Sequence, residues 1–126
     1  MPRDLPLPPT VTAEVKNVEY AEVSASVTIS AGSTEGTATI TLPAKDINLK
    51  SIRVYPPATT YKYSIEVQDS KGNAIYRFRN HSGELVDLFD IIVHDDNASL
   101  TVRIVLETAA PSNVSFDVKI GLTYVA

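Results

Sequence analysis

The chain has 126 residues, no cysteine and no tryptophan, and its 11 basic and 15 acidic side chains give a formal net charge of −4. This length predicts one domain, and the lack of cysteine excludes disulfides, thiolate–metal sites and cysteine nucleophiles. The basic residues are scattered, and no apolar run approaches the ~20 residues that a membrane span needs. We therefore expect neither nucleic acid nor a membrane among its partners.

The chain begins with the proline-rich segment MPRDLPLPPT. Proline fixes φ and lacks an amide donor, so this segment is unsuited to the interior of a sheet and favours an extended, stiff conformation. We expect residues 1–10 to form an extended arm and residues 11–126 to form a single β-sandwich domain. A stiff apolar arm loses little entropy on docking, which makes five of its residues candidate partner contacts: Leu5, Pro6, Leu7, Pro8 and Pro9. A frayed terminus without a role is the alternative.

Period-two alternation then predicts β-strands. VTAEVKNVEYAEV predicts a strand from Val11, although Val11, Val15 and Val18 also have helical spacing. VSASVTIS and GTATITL each alternate apolar residues with serine or threonine, and the short link AGSTEG lies between them. This arrangement predicts that the two strands pair as a β-hairpin.

A second hairpin is predicted by YKYSIEVQ, DSKGN and AIYRFR. Asp69 can accept from backbone amides ahead of it, and Gly72 can take the left-handed conformation of a bulged turn. The apolar faces are predicted to be Tyr61, Tyr63, Ile65 and Val67 on one strand and Ala74, Tyr76 and Phe78 on the other, with Ile75, Arg77 and Arg79 opposite. Arg77 and Arg79 are thus candidate contacts for an acidic partner. Pairing with carboxylates on the adjoining strand is the alternative.

Three further segments complete the pattern. ELVDLFDIIV predicts a strand with a short helical turn, because Leu85, Leu88, Phe89 and Ile92 have helical spacing. SLTVRIVLE and VSFDVKIGLTYV alternate strictly, and Pro43, Pro56, Pro57 and Pro111 all fall between predicted strands. Seven or eight short strands with no long helix predict an all-β fold, an antiparallel β-sandwich or jelly roll.

No residue cluster indicates a chemistry. HDDN at 94–97 and DSKG at 69–72 contain possible cation ligands, but Asp, Asn, Ser and Gly are also what tight turns need, and we favour turns. The two histidines, His81 and His94, lie in polar segments without the pattern of a nucleophile, a base and an orienting group. We therefore expect no enzymatic activity, no catalytic residue, no metal site and no cofactor.

The segments YKYSIEVQDSKGNAIYRFRN and DNASLTVRIVLE, within residues 60–107, resemble small β-sandwich virion proteins of tailed phages, including capsid decoration proteins. The resemblance implies a structural role in a virion assembled in the host cytoplasm. It also implies attachment to a capsid or tail protein lattice, often as a symmetric homotrimer. The alternative is a carbohydrate- or ligand-binding module of a secreted or cell-surface system. Tyr55, Tyr61 and Tyr63 would be its aromatic platform, although Tyr61 and Tyr63 lie on a predicted core face.

Overall fold

A computed structural model describes residues 17–125, which form eight strands and no helix. The strands are β1 (Val18–Ile29), β2 (Glu35–Thr41), β3 (Asp46–Tyr55), β4 (Lys62–Asp69), β5 (Ala74–Ser82), β6 (Leu85–His94), β7 (Ser99–Leu106) and β8 (Val114–Val125). They make two four-stranded antiparallel sheets. Sheet A has the order β1-β8-β3-β6, and sheet B has the order β2-β7-β4-β5.

Successive strands alternate between the two sheets except at β4 and β5, which form a hairpin within sheet B. This interleaving of eight strands in two four-stranded sheets is the jelly-roll arrangement of the β-sandwich. The predicted all-β, antiparallel fold is therefore confirmed. The predicted arm, residues 1–10, lies outside the described residues.

The core lies between the sheets and is built by the alternating side chains that the sequence indicated. In β8, Phe116, Val118 and Ile120 are at most 1% exposed, and their neighbours in sequence face the outside of sheet A. Leu100, Val102, Ile104 and Leu106 do the same from β7. Burial of these apolar side chains on both inner faces is the main stabilising contribution to the sandwich.

The predicted hairpin of VSASVTIS and GTATITL does not form. β1 pairs along its whole length with β8, and β2 pairs with β7 in the opposite sheet. Near the bend between the two strands, Gly36 approaches the main chain of Thr28 closely. A short Gly-containing link suits a corner between sheets as well as a hairpin. The alternation of the two strands does not distinguish a corner from a hairpin, because a strand buried on one face alternates in either arrangement.

The strand β3 was not predicted. Its inward residues are Ile47 and Leu49 on one side of Lys50, and Ile52 and Val54 on the other. The register with both neighbouring strands shifts between Leu49 and Ser51, so a β-bulge reverses the alternation in the middle of the strand. The period-two signal is interrupted by this bulge. The strand predicted to start at Val11 is described only from Val18 and continues unbroken into VSASVTI.

For two strands, the prediction of which side chains point toward the core was also wrong. β6 is a strand throughout, so Leu88 and Ile92 point away from the core that Leu85 and Phe89 contact, and no helical turn is present. In β5, the register shifts between the pairs Val67–Tyr76 and Gln68–Ala74. Because of this bulge, Ala74 is exposed and Ile75 packs against the core, the reverse of the prediction.

Candidate interaction surfaces

The outer face of sheet B is polar and carries the two predicted arginines. Arg77 lies opposite Glu66 of β4, and its Nε donates to Glu66 Oε2 at 3.1 Å. Glu66 also accepts from Gln68 Nε2 at 2.6 Å, and these hydrogen bonds, with the positive charge of Arg77, lower the pKa of the Glu66 carboxyl. Arg77 is thus paired with a carboxylate on the adjoining strand, the alternative that the sequence left open.

Arg79 is exposed and, among residues 17–125, takes part in no salt bridge. It borders a shallow depression of about 360 Å³ together with Arg77, Arg103 and Ser64. Arg103 is itself paired with both carboxylate oxygens of Glu35, and these contacts lower the pKa of the Glu35 carboxyl. The face therefore carries three arginines, of which two are neutralised by glutamates within the sheet.

The two polar strings HDDN and DSKG, which we expected to be turns, meet at one end of the sandwich. Asp95 of HDDN is 3% exposed, and its Oδ2 accepts from the amide and the hydroxyl of Ser70 in the DSKG turn, at 2.8 and 2.7 Å. Its Oδ1 accepts from the amides of Asn97 and Ser99 at 3.0 and 3.3 Å. These donors, first of all Ser70, lower the pKa of the Asp95 carboxyl. Both oxygens are thus engaged, Oδ2 with the DSKG turn and Oδ1 with the loop that contains Asp95.

The DSKG turn itself has the geometry predicted from its sequence. Asp69 Oδ1 accepts from the amides of Lys71 and Asn73, each at 2.9 Å, and Gly72 has a φ of 85°.

His94, the residue before Asp95, lies between two carboxylates. Its Nδ1 and Nε2 are 2.5 and 2.9 Å from carboxylate oxygens of Asp46 and Asp96, respectively. These contacts raise the pKa of the exposed His94 imidazole. No group of three or more His, Asp or Glu side chains in residues 17–125 is arranged to hold a metal ion.

The three tyrosines of the alternative sugar-binding platform lie in two environments, and Tyr61 and Tyr63 belong to the core as their strand face indicated. Tyr61 and Tyr63 pack edge-on against Phe116, with ring centroids 6.0 and 5.1 Å apart, and Tyr63 Oη donates to the carbonyl of Gly83 at 2.7 Å. Burial raises the pKa of Tyr63 to about 12. Tyr55 instead lines a depression of about 480 Å³ on the outer face of sheet A, beside Lys119.

The outer face of sheet A carries a feature that the sequence analysis missed. All six large hydrophobic side chains that the described structure leaves strongly exposed lie there: Val18, Tyr20, Val86, Leu88, Ile92 and Val125. Leu88 and Ile92 are 78% and 85% exposed. The sequence did contain a signal for this surface, because LVDLFDIIV is apolar on both of its strand faces. When such a strand lies at the edge of a sheet, one of its apolar faces can remain uncovered.

The candidate residues Leu5, Pro6, Leu7, Pro8 and Pro9 lie outside the described residues. No helix in residues 17–125 is long and apolar enough to span a membrane.

No protein-family model matches the chain, and no curated protein matches it. Among solved structures, a chain of the cyanophage Pam1 capsid asymmetric unit is similar, with a TM-score of 0.51 and 18% identity over 86% of this chain and 85% of that chain. A chain of infectious bursal disease virus, Gx strain, gives a TM-score of 0.45 and 13% identity over 99% of this chain and 37% of that one. At these identities the similarity concerns the fold.

A carbohydrate-binding module is also similar, the CBM36-1 domain of a multidomain xylanase from the hindgut metagenome of Trinervitermes trinervoides. Its TM-score is 0.41, with 10% identity over 86% of this chain and 98% of that one. The resemblance to virion structural proteins is thus confirmed at the level of the fold, in a cyanophage chain matched over most of its length.

Proposed function

We propose that this chain is a non-enzymatic structural protein of a virion, a capsid decoration or stabilising protein. It binds a viral capsid or tail protein lattice through its β-sandwich and its N-terminal arm, and it assembles as a homo-oligomer, with a trimer favoured. The observation that carries the proposal is the jelly-roll sandwich, which matches a phage capsid chain over 85% of that chain.

A fold hosts many functions, so the surface has to support the proposal as well. The exposed apolar side chains are concentrated on the outer face of sheet A, and large exposed apolar areas mark protein contacts. The outer face of sheet B adds Arg79, without a carboxylate partner among the described residues, as a contact for an acidic segment of the lattice. Both features suit a protein that binds other proteins.

Immunogold electron microscopy tests the virion assignment. Particles purified from the virus or lysogen that encodes the chain are labelled with antibody against the purified protein. We expect regular labelling of intact particles, and its absence would overturn the proposal. Light scattering then gives the oligomer number, for which we expect three times the 13.7 kDa mass of one chain.

Deletion of residues 2–9 tests the arm. The sandwich should keep its circular dichroism spectrum, because strand pairing in the described structure begins at Val18. Binding to the lattice or to other copies should weaken at least tenfold, about 1.4 kcal/mol. Unchanged assembly and binding would show that the arm has no binding role.

A carbohydrate-binding module is the second candidate, and the depression beside Tyr55 favours it. An aromatic ring with hydroxyl and charged side chains around it, here Ser24, Asp117 and Lys119, is a surface that a sugar ring can contact. Calorimetry with xylo-, cello- and chito-oligosaccharides tests this function. Binding that Tyr55→Ala abolishes would support it, and no binding to any of the three would exclude these sugars.

A further inference from the structure

The two outer faces of the sandwich differ in how their edges are protected. In sheet B, the edge strand β2 has only seven residues and presents threonines. The other edge, β5, carries Arg77 and Arg79 and has two irregularities in its register with β4. Short strands, charged side chains and bulges are the usual means of preventing an edge from pairing with another chain.

Sheet A lacks most of this protection. Its edge strand β1 has twelve residues and pairs with β8 without any irregularity. Its other edge, β6, has ten residues, one register irregularity against β3 and the outward Asp90 and His94, but it also presents Val86, Leu88 and Ile92 outward. Tyr20 stands on the outer face of β1, across the sheet from Ile92 through Thr123 and Asn48. An apolar group thus lies at each edge of one face, and the group on β1 includes the aromatic ring of Tyr20.

The size of this face suits a stable contact between proteins. Four strands about 4.8 Å apart and twelve residues of about 3.3 Å each give a face of roughly 14 Å by 40 Å between backbone axes. With the side chains at its rim, the face is comparable to the ~800 Å² that each partner buries in a stable complex. Association through this face would bury the six exposed hydrophobic side chains, which lie toward its two edges with the polar Thr123 and Asn48 between them.

The charges of the face favour a second copy of this chain as the partner. Its outward acidic side chains are Glu22, Asp46, Asp90 and Asp117, and its outward basic side chains are Lys50, Arg53 and Lys119. Lys50 and Asp90 already pair at 2.9 Å, and His94 adds a contact to Asp46. A face with both signs nearly balanced can meet an identical face without strong repulsion.

We propose that copies of this chain associate through the outer face of sheet A, with the β6 group of one copy, Val86, Leu88 and Ile92, covering the β1 group of the other, Val18 and Tyr20. This inference rests on the homo-oligomer in the proposed function and assigns its surface. The outer face of sheet B then stays free for other contacts. In the favoured trimer this contact is head-to-tail, with the β6 group of each copy on the β1 group of the next, whereas in a dimer it is reciprocal.

The test is the concentration dependence of the mass of the full chain, measured by analytical ultracentrifugation. The variant Leu88→Asp/Ile92→Asp should raise the dissociation constant of the oligomer at least 100-fold, because two charges enter the apolar contact. Tyr20→Ser, at the opposite edge, should weaken association in the same direction. The matched control is Thr39→Asp on the edge strand of sheet B, which should leave the mass unchanged. All four side chains are exposed in the described structure, so the variants should keep the wild-type circular dichroism spectrum.

Three outcomes would overturn the inference. In the first, a wild-type oligomer is unaffected by the sheet A variants, so another surface joins the copies and the homo-oligomer itself stands. In the second, the wild-type protein remains a monomer at several hundred micromolar. In the third, deletion of residues 2–16 from a monomer increases the binding of a hydrophobic dye, and the chain's own N-terminal segment covers the face. The immunogold result is independent of all three, so failure of this inference is distinguishable from failure of the virion assignment.

Discussion

Asp95, in the loop after β6, accepts two hydrogen bonds from Ser70, in the turn between β4 and β5, and so joins the two sheets at one end of the sandwich. The residues are 25 positions apart in the sequence. The carboxylate also holds the amides of Asn97 and Ser99 in its own loop. One buried side chain thus organises two turns that have no main-chain ladder between them.

Asp95→Asn should destabilise the protein. The amide of asparagine has one acceptor oxygen instead of two. Its NH2 group would face backbone or hydroxyl donors, which would then lack an acceptor. An unsatisfied donor in a buried site is costly. We expect Tm to fall by roughly 5–10 °C, measured by circular dichroism at pH 7. Asp96→Asn, at the exposed neighbour, is the matched control and should change Tm by less than about 2 °C, because exposed ion pairs contribute little. Equal losses in the two variants would contradict this account.

The same carboxylate predicts a pH dependence. Hydrogen bonds from Ser70, Ser99 and Asn97 lower the pKa of Asp95 in the folded state below the ordinary 3.8. The stabilisation is therefore fully present above the unfolded pKa and is lost as the pH falls through the lower, folded pKa. The difference in Tm between wild type and Asp95→Asn should be constant from pH 5 to 7 and should shrink below pH 3.8. A difference that grows on acidification would show that the sign is wrong.

Gly36 should tolerate no side chain. A Cβ there would collide with the main-chain carbonyl of Thr28 and lie 2.9 Å from Ile29 Cγ1. Gly36→Ala must therefore move the bend between the two sheets, and we expect a loss of about 1–3 kcal/mol in the free energy of unfolding, measured by urea denaturation. Gly121→Ala is the comparison, because its Cβ would meet only the side-chain ends of Ser51 and Tyr20, which can rotate away. A larger loss at Gly121 would refute the argument.

Val118 tests the register of the last strand. It is 0% exposed and pairs with Ala25 and Val54 across sheet A. Val118→Asp would place an uncompensated charge in the core and should leave the protein unfolded or insoluble. Ser24→Asp, on the exposed face and next to Lys119 in the register, should remain soluble with a wild-type spectrum. A soluble, native Val118→Asp would mean that every side chain of β8 faces the other way.

Alternation in the sequence was sufficient to predict which side chains of β7 and β8 form the core, because a strand buried on one face must alternate. It identified the partner of a strand only for β4 and β5, which a short turn joins, and not for strands that are distant in the sequence. VSASVTIS pairs with a segment some ninety positions later, and nothing local distinguishes that partner from the adjacent strand GTATITL. The strand β3 was not predicted because the bulge at Lys50 interrupts its alternation. The inward positions are odd-numbered before the bulge and even-numbered after it.

The candidate surfaces were predictable only in part. Arg77 and Arg79 were placed on the outer face correctly, because charged side chains in a half-buried strand face solvent. The apolar face of β6 was misread as helical spacing, since Leu88 and Ile92 are four residues apart and hydrophobic. In a β-strand the same spacing puts both residues on one face, and only the position of β6 at the edge of sheet A leaves that face uncovered.

The central position of β8 in sheet A has a consequence for the speed of folding. Both of its neighbours, β1 and β3, precede it by more than fifty residues, so sheet A requires two distant chain segments to meet before its main ladder exists. Closing such long loops costs entropy before any hydrogen bond is gained. Refolding should therefore take milliseconds to seconds, as for other sandwiches rich in non-local pairs. The hairpin of β4 and β5, whose strands are separated by a four-residue turn, is the ladder of the described chain that closes the shortest loop, so we expect its pairing to form early.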